Sequence, residues 1–216
     1  MAPPQASGTE GYTEDIEALA RKFDGISFAG LHGPVLHLIP KAPCQVLDIG
    51  SGSGRDAAAL AAMGHSVVAI EPVAGLRQWA AARHRSPLIE WLDDSLPELK
   101  SLGQRREVFD VVMLTAVWMH LDEAQRRQAM LQVAPLVRKG GVAIFTLRHG
   151  PIPPGRRMFA VSADETTALA AASGLNLLLK LEDQPGYSGR PDTRWTTLAF
   201  TNEKCAGTGA ETPVPG

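Results

Sequence analysis

Hydrophobic and polar positions along this chain fall into two alternating kinds of segment. Short runs that are apolar at nearly every position read as buried strands: Gln45–Ile49, Ser66–Ile70, Leu88–Leu92, Phe109–Thr115 and Val142–Leu147. Between them lie stretches with helical spacing and helical punctuation. Arg55–Met63 is closed by Gly64, Pro72 stands where proline opens a helix over Val73–Arg83, and a short helix is expected near Leu96–Leu102. Asp122 and Gln125 have capping-box spacing for a helix running to Arg138 and stopped by Gly140-Gly141. Ser162 and Glu165 repeat that spacing for a helix ending at Gly174.

Two further strands, Leu175–Leu181 and Arg194–Thr201, follow with only a polar Gly/Pro loop between them, which predicts an antiparallel hairpin at a sheet edge. Upstream, Thr13 is a candidate cap for a helix through Ile16, Leu19, Ala20 and Phe23. A second apolar segment, Phe28 to Ile39, ends at Pro40. The expected organisation is a single domain over residues 12–201, with a helical lead-in at 12–40 and a core at 41–201. The lead-in lies over the sheet or, equally, forms a lid on a site. The polar stretches 1–11 and 202–216 read as disordered tails.

Alternating strands and helices predict an α/β fold, a mostly parallel sheet with helices on both faces. Right-handed crossovers then gather the turns after the strands at one sheet edge, where such folds bind ligands. That edge would hold Gly50–Gly54, Glu71, Asp93-Asp94, Ala116–His120 and Arg148–His149.

Composition changes this picture little. The 216 residues are 44 % hydrophobic and 20 % charged, ordinary for a globular domain. A net charge of −2 offers no bulk attraction to nucleic acid. Two cysteines, Cys44 and Cys205, give neither a disulfide framework nor a zinc spacing, and no metal is expected. No signal-like apolar region or membrane-length run occurs, so the expected location is cytoplasmic.

The chemistry concentrates in Asp48-Ile-Gly-Ser-Gly-Ser-Gly54, an apolar strand that runs into glycines at every second position. Such glycines let the backbone turn tightly against a flat or charged group. In the dinucleotide fingerprint the third glycine would fall one residue later, where Arg55 stands. Glu71 ends the second strand, where a carboxylate accepts from both hydroxyls of a ribose. Asp94, after the third strand, is placed to accept from an adenine amino group, and its neighbour Asp93 shares that candidacy.

These motifs, with Asp94-Ser95-Leu96-Pro97, Phe109-Asp110-Val-Val-Met-Leu114 and Arg138-Lys-Gly-Gly-Val142, resemble the class I S-adenosylmethionine-dependent methyltransferases. The resemblance covers about residues 40 to 201 and implies a three-layer, Rossmann-like, seven-stranded fold with S-adenosylmethionine as cofactor. It places Asp48, Gly50, Ser51, Gly52, Gly54, Arg55, Glu71, Pro72, Asp93, Asp94, Ser95, Thr115 and Ala116 around the cofactor. The variant Gly-Ser-Gly-Arg-Asp-Ala resembles the subset acting on small molecules, thiopurine and tellurite types included.

The acceptor would then lie above the ends of the fourth and fifth strands. His120 is the first candidate for a general base and His149 the second, since a near-neutral imidazole suits that work. Each has a plainer reading, as a residue packing on the next helix or ending a strand. Trp118 and Met119 are candidates for an apolar acceptor wall or for the core. Arg148, Arg156, Arg157, Arg190 and Arg194 gather around two late loops, where convergence would suit an anionic substrate and divergence would leave solvated charge. Tyr12 and His32 reach the acceptor only if the lead-in is a lid.

No Asn/Asp-Pro-Pro-Tyr/Phe follows the fourth strand, and no Lys-Asp-Lys-Glu pattern or appended RNA-binding module is evident, which favours a small-molecule acceptor. The alternatives are a methyltransferase acting on protein or RNA, a non-catalytic S-adenosylmethionine-binding partner protein, and an NAD(P)-dependent oxidoreductase. The last is disfavoured by the glycine spacing and by the lack of Tyr-x-x-x-Lys.

Overall fold

The computed structural model describes residue 6, residues 8–186 and residues 192–203. Seven strands form one sheet in the order β3-β2-β1-β4-β5-β7-β6. They are β1 (Gln45–Ile49), β2 (Ser66–Ile70), β3 (Ile89–Leu92), β4 (Phe109–Thr115), β5 (Val137–His149), β6 (Asn176–Pro185) and β7 (Arg194–Thr201). Strands β1 to β5 pair in parallel, and β7 runs antiparallel between β5 and β6. This is the expected Rossmann-like sheet with its antiparallel hairpin.

The continuous apolar runs have a direct cause. Successive side chains point to opposite faces, and both faces are covered. Val111 and Met113 pack with Val46, Leu60 and Ile144 on one side. Val112 and Leu114 pack with Leu47, Trp118, Phe145 and Phe200 on the other. Between β1 and β4 the strand order reverses direction, and the loops leaving these strands diverge to open a crevice.

The helices are α1 (Ile16–Asp24), α2 (Phe28–His32), α3 (Arg55–Ala62), α4 (Ala74–Arg83), α5 (Lys100–Gly103), α6 (Glu123–Val133) and α7 (Ala163–Ala172). Several differ from expectation for identifiable reasons. Asp15, not Thr13, caps α1 by accepting from Ala18 N. Pro72 lies outside α4, whose cap is Val73, and belongs instead to the loop after β2. The Asp122–Gln125 capping box is made, but α6 stops at Val133 because Pro135 has no N–H to donate back, and the chain tightens into a 3-10 turn over Ala134–Leu136 with Ala134 still in helical backbone.

Val137 and Arg138, expected in that helix, therefore open β5. The Gly140-Gly141 pair bends the strand where a side chain at Gly141 would strike the carbonyl oxygens of Asp110 and Phe109. Ser162 caps α7, yet the Glu165 carboxylate does not return to it. Both its oxygens accept from buried Arg126, at 2.8 and 3.0 Å, which clamps α7 to α6.

The lead-in divides. Phe28, Val35 and Ile39 pack in the core on the α3 side, and Pro34 keeps Gly33–Leu38 in a 3-10 helix. Helix α1 instead crosses the C-terminal edge of the sheet and rests on α4, where Ile16 fills the space a side chain at Gly75 would need. Residues 8–11, expected in a disordered tail, form turns that pack against His120 and Gly155. The remaining tail residues, 1–5, 7 and 204–216, lie outside the described residues, and so do Arg190 and Cys205. No helix among the described residues is long and apolar enough to cross a membrane.

Candidate functional site

A cavity of about 330 Å³ occupies the crevice at the ends of β1, β2 and β4 and is roofed by residues 8–26. Its floor is the glycine loop. The Gly50 and Ser51 amides both donate to Ile70 O, at 2.8 and 2.9 Å, tying the loop to the end of β2. Gly50 has φ +74, and a Cβ there would sit 2.4 Å from Val117 Cγ2. Gly54 also has positive φ, but the atoms that exclude its Cβ belong to Trp91 and Ala80. Its role is helix packing, and it does not line the cavity.

Glu71 links the two halves of the floor. One carboxylate oxygen accepts from Gly52 N and the other from Val73 N, each at 2.8 Å. Burial pushes its carboxyl up to about 7, against the opposing pull of those two amides and of Arg77. Each oxygen keeps acceptor capacity toward the cavity, the arrangement a vicinal diol requires.

Asp94, with Ser95 and Leu96, lines the same end. Its carboxylate already accepts from Ser95 N, Ser101 N and Leu102 N, so it holds the start of α5 and has one acceptor position left over. Asp93 does not line the cavity. It is exposed and pairs with Arg77 at 2.7 Å.

A second acid enters from α3. Asp56 accepts from His32 Nε2 at 2.8 Å, from Thr115 Oγ1 at 2.9 Å and from Arg55 Nε at 2.7 Å. Burial alone would raise its carboxyl. The hydrogen bond and charge of His32, with Arg55, outweigh it and hold Asp56 below the usual carboxylate range. Asp48 is raised well above that range, first by burial and then by Asp56.

Asp48 Oδ2 and Ser51 Oγ are buried with no partner among the described residues. Arg55 also donates to Phe23 O at 3.2 Å, so it fastens the roof to the loop. Sequence reasoning missed Asp56, although an acid two residues past the last glycine, in the first turn of a helix, was a usable signal.

At the far end the chain leaves β4 through Ala116, whose φ of +59 turns the loop and whose amide donates to Thr146 Oγ1 at 2.8 Å. Thr115, Ala116, Met119 and His120 line the cavity. Trp118 does not: it is wholly buried, edge-on to Phe145 with ring centroids 5.1 Å apart, a core residue. His120 Nδ1 lies 2.8 Å from Arg157 O and Nε2 lies 2.9 Å from the Tyr12 hydroxyl. Burial, with Arg156 and Arg148 nearby, lowers the imidazole below its ordinary value despite the Arg157 carbonyl.

His149 lies off the cavity, bonded through Nε2 to Thr196 Oγ1 at 2.9 Å. Arg148 and Arg156 line the cavity, the former reaching Pro151 O and Thr193 Oγ1. The Arg156 guanidinium stacks 3.4 Å from the centre of the Tyr12 ring, and its Nη1 is buried with no partner among the described residues. Arg157 lies behind His120 on Asp122 and Gln125, and Arg194 pairs with Asp183 on the surface. Of the four described candidates, Arg148 and Arg156 line the cavity, and Arg157 and Arg194 do not.

The donor and acceptor set suits S-adenosylmethionine. Glu71 would hold the ribose, apolar Val73, Leu76 and Leu96 the adenine, and the partnerless Asp48 and Ser51 oxygens with Asp56 the amino-acid ammonium. Among the described residues no cluster of three His, Cys, Asp or Glu could hold a metal.

Comparison with known proteins points the same way. Residues 46–141 match the model of the family described as a methyltransferase domain. Over 107 residues the chain is 39 % identical to a protein-L-isoaspartate O-methyltransferase of Chlorobaculum parvum, an overlap of 48 % of this chain and 43 % of that one. The chain spans between 42 % and 61 % of the length of the first curated relatives it matches.

Among solved structures, a TehB-like SAM-dependent methyltransferase from Corynebacterium glutamicum aligns with a TM-score of 0.58. It is 22 % identical over 87 % of this chain and 88 % of that one. The 1,6-didemethyltoxoflavin-N1-methyltransferase of Burkholderia thailandensis, solved with 1,6-didemethyltoxoflavin and S-adenosylhomocysteine, aligns with a TM-score of 0.63. It is 18 % identical over 87 % of this chain and 80 % of that one.

Proposed function

We propose that this chain, whose residues 46–141 match the methyltransferase-domain family, is a class I S-adenosylmethionine-dependent methyltransferase that transfers a methyl group to a small, anionic acceptor. The observation that carries this reading is the continuity of one roofed cavity. Glu71, Asp48 and Asp56 lie at one end, and His120, Tyr12, Arg148 and Arg156 at the other. The sulfonium of the cofactor supplies an already activated methyl, so the protein has mainly to align an acceptor and exclude water.

The glycine loop and Glu71 hold the donor end, and Thr115-Ala116 form the passage between the two ends. The roof of residues 8–26 keeps water out. It also favours a small acceptor over a protein or RNA segment, which would have to thread beneath it. The partnerless Arg156 Nη1 and the neighbouring Arg148 favour a carboxylate or a similar anion.

The test has two arms. Calorimetry should show saturable binding of S-adenosylhomocysteine and none of NADH, and the reverse would refute the cofactor. Tritiated methyl transfer into a panel of hydroxybenzoates and aminobenzoates should exceed transfer into their carboxamides. Equal transfer to both sets would remove the anionic class.

A further inference from the structure

We propose that Tyr12 is a catalytic residue: its phenol oxygen meets the acceptor and relays the acceptor's proton to His120. This rests on the methyl-transfer reading above. The argument begins with the direction of two hydrogen bonds. A carbonyl oxygen only accepts, so the 2.8 Å contact to Arg157 O requires the hydrogen on His120 Nδ1. In a neutral ring Nε2 is then a bare lone pair, and Tyr12 O–H is its donor at 2.9 Å. The groups facing this imidazole are Tyr12, Glu10, Arg148, Arg156 and the Arg157 carbonyl. Burial and the two cations hold it neutral.

Geometry then decides which of the pair an acceptor encounters. Both residues border the cavity, but the basic nitrogen of His120 is covered by the Tyr12 hydroxyl, whereas the Tyr12 oxygen keeps lone pairs for an incoming donor. Tyr12 is also held from several directions. Arg156 lies 3.4 Å above its ring, and the His120 ring stands edge-on with centroids 5.4 Å apart. The turn before it is fixed at Gly11, where a Cβ would be 2.5 Å from Gly155 O, and at Gly8, where a Cβ would be 3.0 Å from His120 Cβ. A base merely anchoring a flexible segment would not need that support.

The step balances as a double proton shift coupled to displacement. The acceptor's O–H or N–H proton moves to the Tyr12 oxygen, and the Tyr12 proton moves to His120 Nε2. The electron pair freed on the acceptor forms the new bond to the methyl carbon, and the broken carbon–sulfur bond leaves its pair on sulfur. Tyr12 ends neutral, and His120 ends as an imidazolium donating to Arg157 O. The relay therefore requires an acceptor with an ionisable proton, a hydroxyl or an ammonium group.

The test uses the full chain and Tyr12→Phe, which keeps the ring stacked on Arg156, with His120→Ala for comparison. In the wild-type complex with S-adenosylhomocysteine, nitrogen NMR of labelled histidine should show His120 neutral and protonated on Nδ1. The Nε2 signal should move in Tyr12→Phe. Protonation on Nε2, or an unmoved signal, overturns the proposal without any reference to turnover.

With the hydroxybenzoates, whose phenol proton the relay removes, each variant should lose roughly 10²–10⁴-fold in kcat, the range for one general acid–base group. The double variant should be little worse than either single one. S-adenosylhomocysteine affinity should stay within about twofold. The wild-type rate should be flat above the ordinary histidine range and fall as pH drops through the lowered His120 value. The variants' rates should instead climb with pH as the acceptor ionises itself.

A flat profile in Tyr12→Phe with faster release of S-adenosylhomocysteine makes Tyr12 only a latch and overturns the relay. Transfer to no member of the panel also overturns it, together with the acceptor class. Failure of wild-type S-adenosylhomocysteine binding overturns the underlying methyltransferase reading instead.

Discussion

Replacing Glu71 by Gln isolates the group on which the cofactor reading leans most. The substitution keeps the shape and one backbone acceptor but removes the charge that the ribose hydroxyls would use. Hydrogen bonds to a charged group contribute about 1.5–3 kcal/mol, so S-adenosylhomocysteine should bind the variant roughly 10- to 150-fold more weakly. A second signature comes from pH. The free carboxyl sits at about 7, and the ligand should prefer its ionised form.

Wild-type affinity should therefore be constant above pH 8 and fall below pH 7, approaching tenfold per unit, while the Gln variant stays flat. Stability should move the opposite way. The folded group holds its proton up to about 7, against 4.5 for the ordinary side chain, so the folded state binds more protons between those values. The ligand-free protein should then lose stability as pH rises through that window, by on the order of 3 kcal/mol in total, and the variant should not. Calorimetric titration at pH 6, 7 and 8 with thermal denaturation of both proteins reads both effects. An identical pH slope in the Gln variant, or affinities within twofold, would falsify the ribose assignment.

Asp93→Asn should leave S-adenosylhomocysteine affinity within about twofold, because the exposed carboxylate meets only Arg77. Asp94→Ala should lower both affinity and the unfolding midpoint, since three backbone amides lose their acceptor, at a cost of about 1–2 kcal/mol by analogy with helix caps. Denaturant titration beside the binding assay checks the contrast, and equal effects at the two positions would show the acids to be misassigned. Trp118→Ala should cost about 3–5 kcal/mol in stability and leave the selectivity between acceptors unaltered, as expected for a core residue rather than a pocket wall. A change in selectivity without loss of stability contradicts that placement.

The strands and the edge that carries the site were legible because both depend on local rules. A run such as Phe109–Thr115 is apolar throughout only if both faces are buried, and the glycines at 50 and 52 mark a backbone turn with positive φ. What was not legible depends on contacts between distant segments. Pro135 was a local signal overlooked in favour of Gly140-Gly141, and two residues expected in the helix, Val137 and Arg138, lie in the strand. Glu165 had the spacing of a capping box, but the sequence could not show that buried Arg126 would claim both its oxygens.

Among the arginines, sequence proximity grouped five residues. The chain's path turns Arg148 and Arg156 inward and leaves Arg157 and Arg194 on other partners. The role of Tyr12 was hardest to see, since it depends on a bond across 108 positions to a histidine whose basic nitrogen only that phenol covers.

The roof joins the two ends of the cavity but is fastened to each by different contacts. Over the donor end, Phe23 packs on Gly52, its carbonyl accepts from Arg55, and Ile16 fills the space above Gly75. Over the acceptor end the fastenings are the Gly8–Gly11 turns and the Tyr12 hydroxyl. Gly11→Ala should release the second set alone. Its φ of +73 disfavours any side chain, and the added Cβ would lie 2.5 Å from the backbone carbonyl oxygen of Gly155.

The expected result is selective. Amides of residues 8–15 should exchange with solvent faster in the S-adenosylhomocysteine complex, while those of 19–24 keep their protection and cofactor affinity changes by less than about threefold. Faster exchange across the whole of residues 8–26 would mean that the roof opens as one body. In that case, acceptor and cofactor could not leave independently. Unchanged exchange would mean that the turn at Gly11 does not hold the acceptor end closed.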